Sequence, residues 1–132
     1  MFSAGVKTPP PWVVFTDLDG TLLDARTYEV GLARPALDLL AAQGVPVVFC
    51  SSKTAAEQRP LRLELGLTHT PFIVENGSAV YVPNSSGLSV TDWQPASNER
   101  RERVRVLGRP AAQVREGIAR AAVGARQDPH NP

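Results

Sequence analysis

The stretch WVVFTDLDGT, residues 12–21, decides the fold, because an apolar run in it ends abruptly in two aspartates. Residues 12–15 are β-branched and aromatic, and an unbroken apolar run is typical of a strand covered on both faces of a sheet. Asp17 and Asp19 lie two positions apart in extended chain, so their side chains project to the same side. Gly20 then allows a sharp backbone turn. The stretch predicts a buried strand that delivers two carboxylates to one place.

The rest of the first 82 residues alternates between helical and strand patterns. A helical spacing of apolar residues ends at Gly44, and Thr54 and Glu57 stand at the two positions of a capping box that opens a second helix. This strand–helix alternation is typical of an α/β fold with a Rossmann-like parallel sheet. The predicted helices cover residues 32–43 and 55–65, and the predicted strands cover residues 12–15, 45–50, 72–74 and 79–82, with a further strand at 103–107 and a helix at 110–122.

Composition excludes several classes of protein. The chain of 132 residues is 42% hydrophobic and has a net charge of +1, which argues against disorder and against charge-driven binding to nucleic acid or membrane. Glu99 and Glu102 interleave with the arginines of residues 100–109, so we interpret that segment as a solvated face. The single cysteine, Cys50, excludes an internal disulfide and is interpreted as a small core residue of a cytoplasmic protein. No apolar run approaches the length of a membrane span.

The two aspartates predict a site for a metal ion and a phosphate ester. Two carboxylates at the end of a strand repel each other unless a cation lies between them, and oxygen ligands favour Mg²⁺. In this interpretation Asp17 attacks phosphorus and Asp19 protonates the departing alcohol. Ser51 follows the next strand, where its hydroxyl can donate to a phosphoryl oxygen, and Lys53 adds a cation that faces either the phosphate or the solvent.

Three blocks of sequence carry a resemblance to a known family. DLDGTLLD, residues 17–24, resembles the first signature of the haloacid dehalogenase superfamily of phosphatases. CSSKT at 50–54 and ENGSAVY at 75–81 resemble its sugar-phosphatase branch, most closely the family of mannosyl-3-phosphoglycerate phosphatases. VLGRP at 106–110 is similar to the segment that opens the cap domain of that family.

The resemblance implies a set of roles and a substrate class. Asp17 is then the nucleophile and an Mg²⁺ ligand, and Asp19 is the acid and base and also a metal ligand. The implied substrate is a phosphorylated sugar derivative. The alternatives are another capped sugar phosphatase, of the sucrose- or trehalose-phosphate type, and a non-catalytic truncated remnant. The residues that the resemblance assigns to substrate and phosphate binding are Gly20, Thr21, Ser51, Ser52, Lys53, Glu75, Asn76 and Gly77.

The resemblance also implies elements that this sequence does not contain. The family has a lysine on a later helix and a Gly-Asp-x-x-Asn-Asp block, whereas no lysine follows Lys53 here and neither Asp92 nor Asp128 stands in such a block. We therefore expect the N-terminal half of a phosphatase core, impaired by itself, whose first strand forms an apolar edge open to self-association or to a complementary C-terminal fragment. The expected divisions are a disordered lead-in at 1–11, the half-core at 12–82, a linker at 83–102, the start of a cap domain at 103–123 and a disordered tail at 124–132.

Overall fold

The computed structural model describes residues 12–97 and 100–127 and contains one six-stranded mixed sheet. Its strands run in the spatial order β1-β2-β3-β4-β6-β5. The first three strands are parallel, and each later pairing is antiparallel. The elements in chain order are β1 Val14–Thr16, α1 Arg34–Ala42, β2 Val47–Cys50, α2 Ala55–Glu64, β3 Phe72–Val74, β4 Ala79–Pro83, β5 Gln94–Ser97, β6 Arg100–Val106 and α3 Ala111–Gln127.

The main core lies on one face of this sheet. Phe49 of β2 pairs with Phe72 of β3, and Phe72 pairs in turn with Tyr81 of β4, so three aromatic residues form a row across the strands. The rings of Phe72 and Tyr81 are stacked with centroids 5.0 Å apart. Leu18 and Leu37 close over this row from the loop after β1 and from α1. The core therefore joins the first loop to the central strands.

The opposite face of the sheet is only partly covered. Residues 86–93 fold over it, and an open groove of about 770 Å³ remains beside them. Phe15, Val48, Ile73 and Val80 line the groove from four neighbouring strands. Because β1 lies at the end of the strand order, Phe15 is 60% exposed and Val13 is 50% exposed. The expectation of a first strand covered on both faces is wrong, whereas the expectation of an apolar edge is confirmed.

Two arginine side chains of α2, one buried and one half-buried, tie the helix to its neighbours. The Arg62 guanidinium donates to the carbonyls of Leu67 and Thr70 and lies 3.9 Å from the centroid of the Phe72 ring. Burial lowers the pKa of Arg62 to about 10. Arg59 forms an ion pair with Glu102 of β6 at 2.8 Å. These contacts hold α2 against the sheet although Pro60 lies inside the helix.

Several predicted elements differ from those observed. Residues 94–97 form β5 within the expected linker, since they pair with β6, a partner that adjoins them only in the folded sheet. Leu32 is fully exposed and Leu37 is the buried residue of α1, because the helix begins at Arg34 after a 3₁₀ turn and presents a different face. Cys50 is exposed at the end of β2, so its assignment to the core is wrong. Helix α3 continues to Gln127, into the expected tail.

The remaining predictions about the ends of the chain concern residues that the structure does not describe. The expected lead-in at 1–11 and the last residues of the expected tail, 128–132, lie outside the described ranges.

The core row supplies a test of this architecture. Phe72→Ala removes a fully buried ring, so we expect the free energy of unfolding to fall by about 3–5 kcal/mol. Phe15→Ala is the matched control, because the same ring on the exposed edge strand should cost no more than about 1 kcal/mol. Urea denaturation followed by circular dichroism measures both values. Equal losses in the two variants would contradict the exposed position of β1.

Candidate active site

Three loops meet at one edge of the sheet because β1, β2 and β3 are parallel. Thr16 pairs with Phe49, and Cys50 pairs with Ile73, so the three strands end nearly level with one another. The residues that directly follow β1, β2 and β3 are Asp17, Ser51 and Glu75, which come from three separate segments of the chain. In open α/β sheets the carboxyl ends of the strands are where ligands bind.

The first loop is held by its own backbone. The N–H of Leu23 donates to the carbonyl of Leu18 at 2.8 Å, and the N–H of Gly20 donates to the carbonyl of Leu23 at 2.9 Å. Gly20 has a φ of +73°, in the left-handed region where glycine carries no steric penalty. Leu18 is fully buried, while Asp17 and Asp19 on either side of it are exposed. The loop therefore anchors itself through leucines and presents both carboxylates to solvent.

The second loop begins with a buried serine and ends in a helix cap. Ser51 is 3% exposed, and its Oγ accepts the N–H of Lys53 at 3.2 Å. Thr54 caps α2 by accepting the N–H of Glu57, and the Glu57 carboxylate accepts both the N–H and the hydroxyl of Thr54. The predicted capping box is confirmed, and it fixes where the second loop passes into the helix.

Lys53 connects the first two loops. Its Nζ lies 3.0 Å from Oδ1 of Asp19 and 5.7 Å from the centroid of the Tyr28 ring. The hydrogen bond to Asp19 raises the pKa of Lys53. Both partners are partly exposed, so the pair contributes at most about 1 kcal/mol to stability. Its effect is on position, because it holds a cation beside one of the two predicted catalytic carboxylates.

The third loop has an unusual backbone. Glu75, Asn76 and Gly77 have φ values of 49°, 56° and 92°, so three successive residues lie in the left-handed region. Asparagine and glycine tolerate this region, whereas glutamate there is strained. The N–H groups of Glu75 and Asn76 donate to the carbonyls of Lys53 and Ser51. In the described structure this turn thus meets the second loop through its main chain.

The structure brings most of the predicted site residues to this edge. Asp17, Asp19, Ser51 and Lys53 lie on the two loops that the Lys53–Asp19 pair connects. Ser52 and Thr21 are exposed residues of the same loops. Sequence reasoning missed Tyr28, whose place beside Lys53 has no local signal. It also missed Gln58 of α2, which is fully buried and donates to the carbonyl of Lys53. The only signal for Gln58 in the sequence is that a polar residue stands on the buried face of a helix.

The donor set at this edge fits a magnesium ion only in part. Among residues 12–97 and 100–127 no group of three or more histidine, cysteine, aspartate or glutamate side chains could hold a metal ion. Asp17 and Asp19 nevertheless supply the oxygen ligands that Mg²⁺ prefers, and this ion commonly takes one or two carboxylates and keeps several of its waters. The two aspartates therefore fit an Mg²⁺ ion that completes its coordination with water.

Comparison with known proteins now identifies the family. A family model described as haloacid dehalogenase-like hydrolase matches residues 14–103, and the chain belongs to this family. A more particular likeness is to the glucosyl-3-phosphoglycerate/mannosyl-3-phosphoglycerate phosphatase of Methanococcoides burtonii, at 54% identity over 71 residues. That match covers 54% of this chain and 26% of the relative, so it spans about a quarter of the relative's length.

Solved structures agree with the family assignment at the level of the fold. A haloacid dehalogenase-like hydrolase from Bacteroides thetaiotaomicron matches with a TM-score of 0.57 and 19% identity over 87% of this chain and 38% of its own. A haloacid dehalogenase-like hydrolase from B. subtilis matches with a TM-score of 0.55 and 19% identity over 86% of this chain and 34% of its own. The predicted α/β fold is therefore confirmed. No helix within the described ranges is long and apolar enough to cross a membrane.

The capping box allows a test of how the second loop is anchored. Hydrogen bonds from the Thr54 hydroxyl and N–H lower the pKa of Glu57. The stability that Glu57 contributes is therefore fully present above its unfolded-state pKa, about 4.3. It is lost as the pH falls through the lower folded-state pKa.

At pH 7 the urea midpoint of Glu57→Ala should lie below that of the parent chain. The difference between the two midpoints should shrink as the pH is lowered to 3. Glu57→Gln is the control, because it keeps an acceptor oxygen without a titratable group. A gap of constant size across this range would show that the carboxylate does not act as the cap.

Proposed function

We propose that this chain carries the nucleophile and phosphate loops of a magnesium-dependent phosphomonoester hydrolase that acts on a phosphorylated sugar derivative. The observation that carries the proposal is the contact between Lys53 and Asp19, since it brings the two loops together at the carboxyl edge of the parallel strands. Membership of the haloacid dehalogenase-like hydrolases supports the reaction class. The name of the Methanococcoides burtonii relative supports the conversion of mannosyl-3-phosphoglycerate to mannosylglycerate and phosphate.

The proposed reaction has two steps, and both use the aspartates of the first loop. Leu18 N–H donates to Oδ1 of Asp17 at 2.7 Å, which leaves the other carboxylate oxygen for attack on phosphorus. As the aspartyl-phosphate forms, the bond from phosphorus to the sugar oxygen breaks, and that oxygen takes the proton that Asp19 carries in its carboxylic acid form. Asp19 then accepts a proton from the water that attacks phosphorus, which releases phosphate and restores Asp17.

The second loop binds the phosphoryl group in this proposal. Because Oγ of Ser51 already accepts the N–H of Lys53, the hydroxyl proton is available for a phosphoryl oxygen. The Lys53 ammonium has three donors, of which Asp19 takes one. Mg²⁺ would be held by the carboxylate of Asp17 and the main-chain carbonyl of Asp19, and it would offset the charge on the phosphoryl oxygens.

We expect turnover by this chain to be slow, for the two reasons that its sequence indicates. A missing metal ligand costs at least the roughly 10- to 100-fold known for partners outside the first coordination shell. A missing cation at the phosphoryl group raises the barrier further, by about 2.7–4 kcal/mol if it resembles one oxyanion donor. The alternatives are a phosphatase of the sucrose- or trehalose-phosphate type and a non-catalytic remnant.

Phosphate release from mannosyl-3-phosphoglycerate, with and without Mg²⁺, tests the proposed function. We expect slow, Mg²⁺-dependent release that falls by at least about 1,000-fold in Asp17→Asn, because the nucleophile is removed. Asp38→Asn is the matched control, since this exposed carboxylate of α1 pairs with Arg34 away from the site. Release by the parent chain no faster than by Asp17→Asn would favour the non-catalytic remnant. Faster release from sucrose or trehalose phosphates would favour the other branch.

The exposed edge suggests how the chain associates with other polypeptides. Val13 and Phe15 are half exposed or more, and within the described residues no strand pairs with the outer side of β1. An apolar edge with free main-chain groups favours pairing with another strand. We propose that a second copy, or a complementary C-terminal fragment, supplies it.

Light scattering at increasing concentration tests this association in the chain alone. We expect an average mass above that of a monomer for the parent chain, and a shift towards monomer in Val13→Lys and Phe15→Lys, because lysine on an edge opposes pairing. Leu39→Lys is the matched control, since Leu39 is similarly exposed but lies on α1. A monodisperse monomer at high concentration would rule out self-association through β1.

A further inference from the structure

Gln58 of α2 carries a buried polar side chain. It is fully buried, and its Nε2 donates to the carbonyl of Lys53 at 3.1 Å and to the carbonyl of Ile73 at 2.9 Å. The first carbonyl belongs to the loop after β2, and the second belongs to β3, just before the left-handed turn. A single amide group therefore joins the second loop to β3.

Main-chain hydrogen bonds join the second loop to β3 and to the third loop. Ser51 N–H donates to the carbonyl of Ile73 at 3.3 Å, Asn76 N–H donates to the carbonyl of Ser51 at 3.1 Å, and Glu75 N–H donates to the carbonyl of Lys53 at 3.2 Å. The positive φ values of Glu75 and Asn76 turn these N–H groups back towards the second loop. These three bonds and the two from Gln58 are called the loop clamp below.

If Gln58 served only for packing, its buried amide would carry an energetic cost without a benefit. Its Oε1 has no hydrogen-bond partner among the described residues, although it is buried. Buried polar atoms in native proteins are nearly always paired, so an unpaired one needs a reason. Methionine or leucine would fill this space without an unpaired oxygen, but neither side chain could donate to two carbonyls. The position therefore requires a donor.

We propose that Gln58 is a positioning residue for phosphate binding, because it holds the second loop so that Ser51 and Lys53 face the phosphoryl group. The left-handed turn of residues 75–77 acts together with Gln58. The turn contributes to phosphate binding only through its main-chain N–H groups, which hold the second loop. This proposal rests on the proposed function for the phosphate site, whereas the loop clamp itself is independent of any ligand. A loop held in this way needs little reordering when the phosphate binds.

Gln58→Met tests the proposal, because methionine has a similar length and no donor. Hydrogen exchange measured by NMR should become about ten- to a hundredfold faster at the amides of Ser51, Glu75 and Asn76, as two hydrogen bonds are lost. Amides of the core strand β2, such as that of Phe49, should keep their rates. Gln43→Met is the matched control, since Gln43 is exposed at the end of α1.

A phosphate titration in the same samples measures the functional consequence. Inorganic phosphate with Mg²⁺ should shift the amide signals of Ser51 and Lys53 in the parent chain, and its affinity should fall about tenfold or more in Gln58→Met. Asn76→Val is a second variant that leaves the core intact. A β-branched residue opposes the left-handed backbone, so we expect it to speed exchange at Ser51 in the same way.

The outcomes separate this proposal from the proposed function. Faster exchange confined to the three clamp amides, together with weaker phosphate binding, would support Gln58 as a positioning residue. Unchanged exchange there, or faster exchange throughout β2 as well, would overturn the proposal, because Gln58 would then hold nothing or only the core as a whole. Phosphate that shifts no signal in the parent chain would refute the phosphate site, and the exchange rates would still decide the loop clamp.

Discussion

The parallel pairing of β1, β2 and β3 is the constraint on which the rest of the structure depends. Parallel strands that are in register all end at the same edge of a sheet, so the residue after each strand becomes a neighbour of the other two. This geometry brings Asp17, Ser51 and Glu75 together from three separate segments. The side-chain pair between Lys53 and Asp19 and the main-chain bonds between the loops follow from that placement.

The two ends of the sheet are built differently. At one end, β5 contains Pro95, and proline protects an edge against further pairing. At the other end, Phe15 of β1 and the preceding Val13 are exposed, and β1 contains no proline. The loops proposed to bind phosphate lie beside this open edge, because β1 carries the first of them. Whatever covers β1 would therefore also adjoin Asp17.

The sequence predicted those parts of the fold and the site that depend on neighbouring residues. The strand-to-aspartate stretch at 12–21, the capping box of Thr54 and the glycine that ends α1 are all local, since each involves residues within a few positions of one another. Their interactions form whatever the rest of the chain does, and the structure contains all three. The exposed Cys50 and strand β5 were not predictable in this way, because exposure and strand pairing depend on distant partners.

The sequence by itself determined the α/β alternation, the family and the candidate catalytic residues, because a short motif carries both its local geometry and its chemistry. Only the tertiary structure decided that Lys53 lies against Asp19, that Gln58 bonds to the carbonyls of Lys53 and Ile73, and that β1 is left at an edge. The physical reason is that each of these depends on which segments adjoin across the sheet. Strand order and register set that adjacency, and no local pattern of residues encodes it.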